Sequence, residues 1–93
     1  MSGGHFDYNQ YRIDQIAEDI DTIIRKCVNK EKDEWGYGYE YSVETLNEFR
    51  TAYNKLKEVY VYVQRIDWLV SGDDGEKTFH ERLKEDLENI ETY

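Results

Sequence analysis

The sequence has no proline, one cysteine and six glycines in 93 residues, and each scarcity removes a class of answers. Without proline, nothing forbids helix from within. A lone Cys27 closes no intramolecular disulfide, and so small a domain in an oxidising compartment is normally stapled by several. A cytoplasmic location is therefore expected. Residues 1–5 show no basic stretch leading into an apolar one, so no signal peptide is expected. No apolar run approaches the roughly 18 residues that a membrane span needs. Basic residues are also short, 12 Lys+Arg against 21 Asp+Glu, for a net charge of -9 and a pI near 4.6. That balance argues against nonspecific nucleic-acid binding, which needs cations to neutralise phosphates, and against adhesion to anionic membranes.

What is present is helical punctuation and tyrosine. Leu, Ile, Val and Phe supply only 21 of 93 residues, so the core must be small. Nine tyrosines compensate, each offering ring area and a hydroxyl. Glycines at positions 3, 4, 36, 38, 72 and 75 cut the chain at three places. The result is a single helical domain over residues 1–93 with helices at about 7–33, 42–70 and 76–92. In the first, Ile13, Ile16, Ala17, Ile20, Ile23, Ile24, Cys27 and Val28 follow helical spacing. Asp7 is the expected N-cap, with Gln10 reaching back and Phe6 packing on Tyr11. Ser42 is expected to cap the second helix, with Tyr41 and Leu46 packing at its start. Leu46, Phe49, Tyr53, Leu56, Tyr60 and Val63 form its main stripe, widened by Ala52, Val59, Ile66 and Val70. A face that broad suits a central helix with two neighbours. Gly72 is placed to end it in the left-handed conformation, and Asp73 or Asp74 to cap the third helix. There Phe79, Leu83, Leu87 and Ile90 make one narrow stripe. The fold class expected is all-α: a small antiparallel three-helix bundle with a long central helix, completing its core by oligomerisation.

The charge is uneven. Residues 1–34 carry 8 acids and 5 bases (-3), residues 35–72 carry 5 and 4 (-1), and residues 73–93 carry 8 and 3 (-5). The aromatic, nearly neutral middle repels an anionic ligand least. The acidic last helix is either an ordinary solvated face or a docking surface built on Glu81, Glu85, Asp86 and Glu88.

Tests for chemistry fail one after another. Asp74, Gly75 and Glu81 match the later half of an EF-hand loop, but Val70 and Gly72 fall where its first carboxylates belong. Cys27 lies on an apolar stripe, where a thiol is normally inert. There is no Cys-x-x-Cys, no His-Glu-x-x-His and no glycine-rich phosphate loop. No catalytic residue, metal ligand or cofactor is expected, and the protein is read as a non-enzyme.

Two clusters remain as binding elements. Trp35, Tyr37, Tyr39 and Tyr41 alternate along an extended segment, where their rings either stack on a ligand or cover the end of the core. Arg65 offers a planar fork of donors for phosphate beside Trp68, unless it is spent on an internal ion pair with Asp67 or another helix-surface carboxylate.

The stretches Ser2-Gly3-Gly4-His5-Phe6-Asp7-Tyr8-Asn9-Gln10-Tyr11 and Arg65-Ile66-Asp67-Trp68-Leu69-Val70-Ser71-Gly72-Asp73-Asp74-Gly75-Glu76 resemble those of a family of small bacteriophage and prophage proteins. The resemblance implies a phage setting, in which small accessory proteins often block host defence. By analogy, two functions are expected. One is a non-catalytic sponge for a small anionic ligand such as a cyclic-nucleotide defence signal, held between protomers. Trp35, Tyr37 and Tyr39 would stack on bases, and Arg65 with Arg12 or Arg50 would hold phosphate. The other is an acidic inhibitor that mimics nucleic acid and binds a host defence protein.

Overall fold

A computed structural model describes residues 6–30, 38 and 40–93. Three helices and no strand occur among them: α1 (Gln10–Val28), α2 (Val43–Val70) and α3 (Glu76–Glu88). Helix α2 is central, packing on α1 along one side and on α3 along another. The start of α1 lies against the far part of α2, where Gln10 meets Gln64 and Asp67. Its end lies near the beginning of α2, where Cys27 meets the backbone of Tyr41.

The core is as small as the composition implies. Ile24, Cys27 and Leu46 form its buried centre, with Ile20 and Phe49 packed against them, and Ala17 is fully buried. Fully burying one Ile or Leu contributes about 1.5–3 kcal/mol, so this seam stabilises α1 and the first half of α2 together. Tyrosine extends it. Tyr41 packs on Phe49 with centroids 5.3 Å apart, Tyr11 on Tyr60 at 6.1 Å and Tyr53 on Tyr93 at 5.1 Å. Helix α3 buries no residue fully, its stripe of Phe79, Leu83 and Leu87 being half-buried. Ionic contacts add to that packing, as described below.

Ser42 caps α2 as its sequence suggests, its hydroxyl accepting from the Thr45 N–H at 3.2 Å. Gly72 closes the helix at φ 84°, a conformation that glycine adopts without strain. Four local expectations fail. Asp7 does not cap α1, because Asp7 and Tyr8 both sit at left-handed φ (53° and 61°), and Asn9 precedes the helix without a side-chain cap bond. A tertiary contact wins there: the turned segment lets the Phe6 N–H donate to Asp67 Oδ1 at 3.3 Å, and Gln10 reaches Asp67 instead of its own backbone. At the other end α1 stops at Val28, because Lys30 turns to φ 57°. Neither Asp73 nor Asp74 caps α3, whose N-cap is Gly75 without a side-chain bond. Asp74 is drawn under α2 by arginines. Finally, α3 ends at Glu88, and the chain beyond it lies across α2, with Tyr93 N–H donating to Asn54 Oδ1 at 2.8 Å. No helix among the described residues is long and apolar enough to cross a membrane.

Candidate functional site

Among the described residues, a cleft of about 440 Å³ lies where the end of α1, the first half of α2 and residues 91–93 converge. Ile24 and Val28 supply its apolar floor, and Arg25, Arg50, Tyr53 and Tyr93 its polar wall. Val28 is exposed despite lying on the apolar stripe of α1 because it opens into this cleft rather than onto α2.

Each polar group is positioned by a neighbour. Asp21, one turn from Ala17 and from Ile24 on the core face of α1, is buried and pairs with Arg25 at 2.9 Å. It also accepts from the Tyr93 hydroxyl. Burial, and then the hydrogen bond to this carboxylate, push the Tyr93 hydroxyl up to about 12. Burial likewise raises Tyr53. Arg50 is half-buried, donates to Asn47 Oδ1 at 2.9 Å and lies 5.8 Å from the centroid of the Tyr93 ring. It meets no carboxylate among the described residues. Arg25 keeps its side chain 74% exposed while bonded to Asp21. The cleft therefore presents two guanidinium groups beside two phenol rings, one of the cations neutralised by Asp21 and the other by no carboxylate among the described residues.

The remaining candidate residues are scattered. Arg65 is nearly buried, its Nε 2.6 Å from Asp86 Oδ2 and its Nη1 3.7 Å from Asp74 Oδ2. The second distance is a charge contact and not a hydrogen bond. The Arg65 guanidinium covers the Trp68 ring at 4.4 Å, so those two are brought together as a clasp for α3. Its carboxylate partners lie in α3 and in the turn before it, and Asp67 faces the opposite way, towards α1. Asp74, with only 3% of its side chain exposed, also meets Arg82 at 3.4 Å. Arg50 and Arg65, 15 residues apart on one helix, are separated by about 22 Å along its axis and do not converge on one phosphate. Arg12 is exposed on α1. Trp35, Tyr37 and Tyr39 lie outside the described residues. Of the acidic set on α3, Glu81, Glu85 and Glu88 are exposed, whereas Asp86 is engaged by Arg65.

A second polar cluster staples α1 to α2. Lys57 is 2.6 Å from Asp14 and 2.5 Å from Glu18. Burial opposes its charge, yet the hydrogen bonds it donates to both carboxylates overcome this and hold the ammonium well above the ordinary lysine range. Cys27 is a core residue whose sulfur accepts from the Tyr41 N–H at 3.5 Å. Among the described residues, no three His, Cys, Asp or Glu side chains gather to hold a metal ion.

Sequence reasoning named Arg50 but missed Arg25, Tyr53, Tyr93 and Asp21. Asp21 left a signal, a carboxylate at a core-face position between Ala17 and Ile24. Tyr93 left none, because it falls beyond the last helical stripe. No protein-family model, curated protein or solved structure matches this chain.

Proposed function

We propose that the protein is a non-catalytic, phage-type binding protein that sequesters a small anionic ligand, a cyclic-nucleotide defence signal being the class that suits it. The helices are taken as an antiparallel bundle acting in the cytoplasm of the host cell. One observation carries this reading: Arg50, a half-buried cation without a carboxylate partner among the described residues, lines a cleft beside Tyr53 and Tyr93. A guanidinium fork recognises phosphate, and phenol rings offer a face to a base. The site is read within one chain, centred on Arg50 and Arg25; Arg65 with Trp68 serves the fold. Calorimetry against cyclic di- and trinucleotides is expected to show heat that Arg50→Gln abolishes. Absence of heat across the panel overturns the reading.

A second reading is favoured by a different observation, the exposure of Glu81, Glu85 and Glu88 on α3. An acidic face of that kind imitates nucleic acid and occupies the basic groove of a host enzyme. Such binding weakens steeply with salt. Neutralising the three glutamates to glutamine abolishes it while leaving a nucleotide sponge intact.

A further inference from the structure

Past Glu88 the chain leaves helix, and residues 89–93 cross α2 as a strap anchored by Tyr93. Each part of that residue meets a partner. Its N–H donates to Asn54 Oδ1 at 2.8 Å and its carbonyl accepts from Asn54 Nδ2 at 3.2 Å, so one side-chain amide pairs with its main chain as a neighbouring strand would. Its ring stands edge-on to Tyr53 at 5.1 Å, with the Arg50 guanidinium over it at 5.8 Å, and its hydroxyl donates to Asp21. Glu91, Thr92 and Tyr93 form one wall of the cleft, whereas Asn54 is not among the residues that line it.

The anchorage is slender. Ile90 is half-buried, but Asn89, Glu91 and Thr92 are exposed and Tyr93 keeps 50% of its surface in water. Ordering a segment costs conformational entropy at every residue, and here five residues are set against the contacts of one. Segments with few buried contacts open locally, far below the cost of global unfolding. We propose that residues 89–93 are a strap hinged after Glu88 that docks and releases as a unit, latched by Asn54, and that its docking builds one wall of the Arg50 cleft. Release takes the hydroxyl from Asp21 and the ring from beneath Arg50 in the same step. A ligand that needs this wall binds only the docked fraction, and its apparent affinity falls in proportion. The strap stands on the contacts of Tyr93 alone; its role as a gate rests on the ligand reading above.

Asn54→Ala in the full chain separates the two. It removes both main-chain bonds, favours helix at its own position and leaves every residue lining the cleft in place. The phenol, at the far end of Tyr93, is the reporter: its step in the tyrosinate absorbance titration is expected to move from about 12 back towards 10, with helical circular dichroism retained. Asn54→Leu, of the same shape as asparagine, repeats the test without a truncation. A late step that persists in both variants shows the phenol held without the latch and overturns the strap. Calorimetry with cyclic di-AMP reads the gate, with heat expected from the wild-type chain and about tenfold weaker affinity in Asn54→Ala. Equal affinity overturns the gate. Heat from neither chain overturns the ligand reading and the gate with it, while the titration still decides the strap.

Discussion

Two buried polar side chains decide the geometry at one end of the molecule. Asp67 is fully buried and Gln10 is 2% exposed, and the Gln10 amide donates to Asp67 Oδ2 at 3.1 Å and to Gln64 Oε1 at 2.9 Å. Truncating Asp67 strands a buried amide and the Phe6 N–H, which costs about 2 kcal/mol. Asp67→Ala is therefore expected to lower the thermal midpoint by roughly 8–15 °C, and Asp67→Asn, which keeps the shape and an acceptor, by less. Calorimetric or circular-dichroism melting decides. At the cleft, Tyr93 gives a pH dependence of definite sign. Its folded value of about 12 exceeds the ordinary 10.0 because burial and the bond to Asp21 both favour the neutral phenol. The associated stability is present in full below pH 10 and is lost as pH rises towards 12. Tyr93→Phe is expected to remove the latest-titrating part of the tyrosinate absorbance rise. A variant whose titration overlays the wild type refutes that assignment.

Helices α1 and α2 are joined by a core and a Lys57 staple, whereas α3 has only a half-buried stripe and the ionic contacts of Arg65. Arg65 and Asp74 are 12% and 3% exposed at the side chain. Removing the arginine leaves a buried carboxylate facing Arg82 alone, a loss of about 3 kcal/mol by comparison with broken buried pairs. Arg65→Ala is expected to speed amide exchange in α3 far more than in α1, where Ile24 and Ala17 hold the backbone. The α2–α3 turn offers a milder probe. At Gly72 no atom lies within 4 Å of an added methyl group, so only the backbone at φ 84° resists it. Gly72→Ala should cost about 1 kcal/mol, measured as a shift in the denaturation midpoint without a change in slope.

The whole molecule is elongated, 52 × 24 × 15 Å with a radius of gyration of 16.7 Å, against about 12 Å for a compact chain of this length. A 28-residue helix imposes that length, because it extends about 42 Å and the other two helices are too short to fold it away. Net charge acts at this scale also. Lys57 and Arg65 satisfy Asp14, Glu18, Asp74 and Asp86 locally, and the rest of the -9 excess repels itself across the surface. Raising salt from about 10 mM to about 0.3 M shortens the screening length several-fold. The expected result is a higher melting midpoint, and a fall shows instead that the ion pairs outweigh the repulsion.

Periodicity sufficed for the helices. The 3–4 spacing of Ile16, Ala17, Ile20, Ile24 and Cys27, the Ser42 cap and the Gly72 stop are local properties, so the sequence by itself determined an all-helical chain, a long middle element and a small core. Helix ends were another matter. Asp7 and Asp74 look like caps in isolation, but one is bypassed when Phe6 and Gln10 bond to Asp67, and the other is pulled beneath α2 by Arg65 and Arg82. The candidate site followed the same division. Arginine and tyrosine in a nearly neutral middle were visible as composition, yet which arginine stays available was decided by tertiary pairing. Arg65 meets Asp86 across a turn, while among the described residues Arg50 meets Asn47 and a tyrosine ring. Asp86 lies 21 residues from Arg65 and Tyr93 72 residues from Asp21, and spacing along one helix carries no record of such partners.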